Sequence, residues 1–223
     1  WKLPTFVLHS FSNYKIVETN HKLQPKPKYL FFQLRGFYRK IIYFFTEYLL
    51  KNYCLKKYRF FLVVLQVSSD SQVTSGSNFT SIKEFISYVI KTYSLSSNNL
   101  NNVKLVFKHH PRDRGYNNYS NYIRKMSMKY NVEKNVHYFH DSSMAKLCTN
   151  KLCKGFVMIN STVGYQALFH NKPLKALAIA PYNIEGLSDQ NDLKSFFENP
   201  AKVDQNLFNR LYRFTIENTQ FNG

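Results

Sequence analysis

Between Val103 and Gly115 an apolar run empties directly into a cationic turn, VKLVFKHHPRDRG. Val103, Leu105, Val106 and Phe107 have the near-continuous hydrophobicity of a strand covered on both faces, as strands of parallel sheets are. Lys108, His109, His110, Pro111 and Arg112 then stand at its carboxyl end, the edge of an open α/β sheet where ligands collect. This stretch points to an α/β fold with an anion-seeking edge.

The same pattern recurs along the chain. Phe60 to Val67, FFLVVLQV, reads as a central parallel strand followed by Gln66, Ser68, Asp70, Ser71 and Gln72. Gly155 to Ile159 is a third buried run, ending in Asn160, Ser161, Thr162, Val163 and Gly164. Leu174 to Ile179 is a fourth, ending in Pro181, Tyr182, Glu185 and Gly186. Val136 to Phe139 is a shorter strand.

Helical spacing fills the gaps. Ser81 and Glu84 form a capping box ahead of Ile82, Phe85, Ile86, Val89, Ile90 and Tyr93. Further helices are expected over Tyr119 to Tyr130, from a Ser142 cap through Leu147, over Tyr165 to His170, and from Leu193 onward with a break at Pro200. Strands alternating with helices predict a Rossmann-like parallel sheet over residues 59–223.

Residues 1–58 read differently, as a linker and the helix remnant of an amino-terminal domain. Pro4, Pro25 and Pro27 punctuate an irregular opening, and the chain begins at Trp1, which suggests an amino-terminally truncated fragment. From Tyr29 to Tyr53, Phe37, Ile41, Phe44, Phe45, Tyr48 and Leu49 recur along one helical face, with Arg35, Arg39, Lys40 and Lys51 elsewhere. Two arrangements suit this helix: apolar face packed on the core, or basic amphipathic helix resting on an anionic membrane.

The formal charge of +18, from 31 Lys+Arg against 13 Asp+Glu, favours polyanionic partners: nucleic acid, anionic lipid or phosphorylated substrates. A basic nucleic-acid-binding module is one alternative, but no RNP, KH or helix-turn-helix pattern is present, so no specific nucleic acid is expected. Cys54, Cys148 and Cys153 are too few for a disulfide framework and match no zinc spacing. With no apolar run of the roughly 18 residues that a span needs and no signal-peptide design, a cytoplasmic location is expected.

In a parallel sheet the ends Gln66–Gln72, Lys108–Arg112 and Asn160–Gly164 share one edge. Ser161 and Thr162, where a strand turns into a helix, offer hydroxyls and free N–H groups to a phosphate, or else simply cap that helix. Lys108, His110 and Arg112 add cationic donors. His137 and His140 read as satisfied core or surface histidines, and Asp113 and Arg114 as residues that shape the turn.

Taken together, Leu65-Gln66 with Asp70-Ser71-Gln72, Lys108-His109-His110-Pro111 with Asp113-Arg114-Gly115, Ile159-Asn160-Ser161-Thr162-Val163-Gly164 with Ala167-Leu168, then Tyr182 and Gly186-Leu187, and the closing Thr219-Gln220-Phe221-Asn222-Gly223 resemble the bacterial capsule polysaccharide biosynthesis family. The resemblance runs from about Phe60 to Gly223. The His-His-Pro-x-Asp-Arg-Gly form is most similar to the single-module enzyme that adds the first Kdo to a phosphatidylglycerol-type lipid.

That resemblance implies the carboxyl-terminal half of a GT-B-like retaining β-Kdo transferase. The donor would be CMP-Kdo, with no metal or other cofactor. It implies Asp70 as nucleophile, His110 on the CMP phosphate, and Ser161 and Thr162 on the same phosphate. Lys108, Pro111, Arg112 and Gly164 would complete the donor site. Gln66, Gln72, Arg114, Tyr182 and Glu185 are further candidates, Arg112 or Arg114 for the Kdo carboxylate and Glu185 for the ribose. A lipid acceptor at the cytoplasmic face of the inner membrane and other capsule assembly proteins would be partners. A non-catalytic lipid-binding relative of the same fold is the remaining alternative.

Overall fold

A computed structural model describes residues 26–68, 73, 76–96, 100 and 102–219. Five parallel strands form one sheet in the order β3-β2-β1-β4-β5: β1 (Phe60–Val64), β2 (Lys104–Lys108), β3 (Val136–Phe139), β4 (Cys153–Met158) and β5 (Leu174–Ala176). The helices are α1 (Lys26–Lys57), α2 (Ile82–Ser96), α3 (Ser120–Lys129), α4 (Met144–Cys148), α5 (Val163–Phe169), α6 (Leu193–Glu198) and α7 (Gln205–Thr219). This is the α/β, Rossmann-like parallel sheet that the alternation of runs predicts.

Period-two alternation divides each strand between two cores. Phe61, Val63, Leu105, Phe107 and Val157 face α2, α3 and α6 through Phe85, Ile86, Val89, Ile123 and Phe196. Phe60, Leu62, Val64, Val106, Phe156 and Met158 face the other way, onto Cys54 of α1, Leu147 of α4, Leu168 of α5 and Phe208 of α7. Burial on both faces explains why β1 and β2 are buried at every residue.

The capping box at α2 forms in a shifted version. Ser81 Oγ accepts the Glu84 N–H at 3.2 Å, but Glu84 Oε2 reaches back to the N–H and hydroxyl of Thr80, each at 2.7 Å. Ser142 does not cap α4. The N-cap position is Ser143, without a side-chain bond, and the Ser142 hydroxyl is buried with no partner. β5 stops at Ala176 because the Leu177 N–H turns to the carbonyls of Met158 and Ile159, and Ala178 bridges antiparallel to Ser77.

The first helix overturns the expectation that its apolar face packs on the core. Phe37, Ile41, Phe44, Phe45, Tyr48 and Leu49 are all exposed. The face turned inward is largely polar: Arg35 donates to the carbonyls of Gly115 (2.5 Å) and Tyr116 (3.2 Å), and Arg39 to that of Arg114 (2.9 Å). Lys51 donates to the Asp141 carbonyl, and Glu47 meets His140. Loop carbonyls at the sheet edge need donors, and α1 supplies them. The proline-punctuated opening, residues 1–25, lies outside the described residues.

Candidate functional site

In the order β3-β2-β1-β4-β5 the chain steps outward from β1 to β3 and returns beside β1 as β4. The crevice at that reversal, above the ends of β1 and β4, is where open α/β sheets hold ligands. Gln66 and Asn160 meet there: Gln66 Nε2 donates to Asn160 Oδ1 at 2.8 Å, and the Asn160 N–H donates to Gln66 Oε1 at 3.2 Å. Two amides, both buried, thus tie the β1 loop to the β4 loop.

A second tie joins the β1 loop to the cationic turn. Asp113, 1% exposed, accepts from Ser68 Oγ (3.1 Å), Asn117 Nδ2 (3.0 Å) and Tyr119 Oη (3.3 Å). Asn117 Nδ2 also donates to Ser68 Oγ at 2.6 Å. A turn-shaping part was expected for Asp113, but its hold on Ser68 was not. The stretch after Ser68 is anchored again where the Ile179 N–H donates to the Gly76 carbonyl at 3.2 Å. Asp70 and Gln72 fall between these anchors, outside the described residues.

His110 and Ser161 stand on the same edge, on strands either side of β1 and so roughly 10 Å apart in the hydrogen-bonding direction. His110 caps the short 3-10 turn Pro111–Asp113, its Nδ1 accepting the Arg112 N–H at 3.2 Å. Pro111 and Arg112 are exposed on that turn. Ser161 Oγ accepts the Val163 N–H at 3.3 Å, so it caps α5, while Thr162 contributes no capping bond. Tyr182 is 1% exposed and donates its hydroxyl to the Ser161 carbonyl.

Gly164 serves that ring. A Cβ there would lie 2.7 and 2.8 Å from Tyr182 Cε2 and Cε1, and closer still to Cζ. Its missing side chain makes room for Tyr182, which in turn braces the Ser161 turn. Glu185 is exposed beyond the tyrosine, and the described contacts do not bring it to the crevice.

Two expected donors point elsewhere. Lys108 alternates with Val106 onto the face that α1 covers, and its Nζ donates to the carbonyls of His109 (2.7 Å) and His140 (3.4 Å). Burial, then the nearby Arg114, pushes its pKa down to about 8. Arg114 Nη2 pairs with Asp141 Oδ1 at 3.3 Å. Both cations belong to the rim between β2 and β3, not to the β1/β4 crevice.

Behind that rim lies a polar cluster whose extent the sequence does not announce. His140 Nδ1 donates to Glu47 Oε1 at 2.5 Å, its backbone N–H to Glu47 Oε2 at 2.8 Å, and Tyr43 stacks on its ring at 3.5 Å. His137 is half-buried, whereas His140 is buried and hydrogen-bonded to a carboxylate. His109 shares a 2.6 Å hydrogen bond with the Tyr138 hydroxyl. Burial, then His140, Lys108 and Arg114, pushes its pKa down to about 3, so it is neutral near pH 7. Gly115 lets α1 approach the cluster, because a Cβ would come within 3.0 Å of the Phe32 carbonyl carbon and closer to its oxygen.

Cys54, Cys148 and Cys153 are buried free thiols, pushed by burial up to about 11, 11 and 12, and burial makes them poor nucleophiles. Among the described residues no group of three His, Cys, Asp or Glu could hold a metal ion. Among them, too, no helix is long and apolar enough to cross a membrane.

A Rossmann-like sheet with its β1, β2 and β4 loops laced together beside the topological switch point makes this an α/β protein whose candidate site is that edge. The family model described as capsule polysaccharide biosynthesis protein matches residues 3–223, and the chain belongs to that family. It is 36% identical over 192 residues to the capsule polysaccharide export protein KpsS of Escherichia coli, covering 85% of this chain and 48% of KpsS. It is also 36% identical over 166 residues to the capsule polysaccharide modification protein LipB of Neisseria meningitidis, covering 74% of this chain and 39% of LipB. The chain thus spans about half the length, or less, of these curated relatives. A solved structure, Thermosulfurimonas dismutans KpsC, beta Kdo 2,7 transferase, aligns with a TM-score of 0.43 and 17% identity over 79% of this chain and 56% of that one.

Proposed function

We propose that this chain is the donor-binding half of a GT-B-like retaining glycosyltransferase that moves Kdo from CMP-Kdo to a phosphatidylglycerol-type lipid or a Kdo acceptor in capsule assembly. The observation that carries it is the lacing of three loops beside the switch point: Gln66 to Asn160, and Ser68 to Asp113. Those bonds fix the two ends that flank β1, one bearing His110 and the other Ser161 and Thr162. A phosphate seated between them would meet the His110 imidazole and the hydroxyls of Ser161 and Thr162, with Arg112 exposed at the mouth.

In this scheme the Asp70 carboxylate attacks the anomeric carbon of Kdo while the bond from that carbon to the phosphate oxygen breaks, and CMP departs as an anion. The acceptor hydroxyl then forms a new bond to the same carbon, displacing the carboxylate and giving net retention, with its proton passing to a base outside these residues. Donors aimed at the departing phosphate stabilise the charge that develops on it. Lys108 and Arg114 serve as supports of the turn, a role that their carbonyl and Asp141 bonds favour. The enzyme would work at the cytoplasmic face of the inner membrane, beside other capsule assembly proteins.

The test is CMP release from CMP-Kdo with a phosphatidylglycerol-type acceptor. A longer protein carrying an amino-terminal domain should turn over, this chain should bind CMP but transfer slowly, and Asp70→Asn should abolish transfer while retaining CMP binding. Turnover unaffected by Asp70→Asn would remove the nucleophile, and failure to bind CMP would remove the whole reading.

A further inference from the structure

Most of the exposed large hydrophobic side chains among the described residues stand on α1. At about 100° per residue, Phe31, Leu34, Ile41, Phe45, Tyr48 and Leu49 fall within one arc, and they are 58%, 62%, 45%, 72%, 51% and 78% exposed. A contiguous patch of this kind marks an interaction site. The helix is amphipathic in the reverse of the ordinary sense, since Arg35, Arg39, Glu47 and Lys51 are committed to the protein.

We propose that α1 lies in the plane of an anionic lipid surface, apolar arc down, and docks the domain there. Charge selects this occupant. Glu47 is the only acidic residue in α1 and is bound to His140, so the charges of the helix that are exposed among the residues with described side chains, Lys40, Lys56 and Lys57, are all cations. A chain of formal charge +18 disfavours a second copy of itself across the same face, because like charges would be brought together. The helix is too polar to cross a bilayer, and an apolar arc that runs on to the exposed Lys56 and Lys57 at its carboxyl-terminal end suits an interfacial position.

The same helix grips the Arg114–Asn117 carbonyls from its other side. The turn bearing His110 is therefore held about one helix diameter, ~10–12 Å, from the headgroups. That placement would bring a membrane-borne acceptor beside the donor site, a consequence that rests on the transferase proposal. The docking itself does not.

Sedimentation with vesicles of phosphatidylglycerol and phosphatidylcholine, or of phosphatidylcholine alone, tests docking without any turnover. Binding should be stronger to the anionic vesicles and fall about tenfold or more in Phe45→Glu/Leu49→Glu, with an unchanged thermal midpoint because both side chains are exposed. A second variant, Trp1→Phe/Phe45→Trp, carries one tryptophan on the arc, and lipid brominated in its acyl chains should quench it. Absence of binding, binding that the double glutamate variant leaves unaltered, or an unquenched tryptophan would overturn the proposal. So would a dimer in light scattering that the glutamates convert to monomer, which would assign the face to a second copy.

Discussion

Replacing Gly164 with alanine should disturb the Ser161 turn through a single carbon atom. The new Cβ would sit 2.7 Å from Tyr182 Cε2, so the ring must retreat to the 3.4 Å of ordinary contact. Tyr182 is 1% exposed and packs on Tyr165 with ring centroids 5.3 Å apart, so its retreat displaces other core atoms. Its hydroxyl would also leave the Ser161 carbonyl. Overpacking of this kind costs about 1–3 kcal/mol, and the weakened hydrogen bond adds about 1 kcal/mol. For a domain of this size the sum lowers the thermal midpoint by roughly 5–12 °C. Differential scanning calorimetry of Gly164→Ala and of Gly164→Ala/Tyr182→Leu reads the effect. The smaller leucine should restore part of the loss, a coupling of about 1–3 kcal/mol. A midpoint within 1 °C of the parent, or no coupling between the two sites, would refute the contact as the reason for this glycine.

Gly115→Ala should loosen α1 from the cationic turn, because its Cβ meets the Phe32 backbone and not a flexible side chain; limited proteolysis within α1 should quicken about tenfold or more. Glu47→Ala strips His140 of its ring and backbone acceptors, and leaving those donors buried should cost about 2–4 kcal/mol by urea unfolding. Burial lowers the pKa of His109 from the usual 6.5 to about 3 in the folded protein, so the unfolded chain binds the extra proton between those values. Its contribution to stability is therefore full above pH 6.5 and is lost as pH falls toward 3. His109→Phe should flatten that limb of a pH–stability curve, and an unchanged slope would show that another group sets it.

Where the sequence was legible, a single local rule decided the outcome. β1, β2 and β4 lie buried on both sides, so continuous hydrophobicity marked them, and a parallel sheet put their polar ends on one edge. Direction of individual side chains was partly readable too: counting by twos from Val106 puts Lys108 on the α1 face, away from the crevice. What could not be read is long-range pairing. No local pattern says that Asp113 holds Ser68, that Gln66 and Asn160 exchange two bonds, or that Glu47 finds His140 across 93 positions. The inversion of α1 has the same origin. Its apolar stripe is plain in the sequence, but the carbonyls of Arg114, Gly115, Tyr116 and Asp141 that attract its arginines and Lys51 exist only once the loops have closed.

A crystal structure of the protein with bound CMP tests the central claim most directly. The phosphate should rest beyond the end of β1, within hydrogen-bonding distance of His110 on one side and of Ser161 or Thr162 on the other, with the Asp70 carboxylate facing the side that the sugar leaves. Density for CMP over the β3 rim, or a phosphate touching neither His110 nor the Ser161 turn, would contradict it.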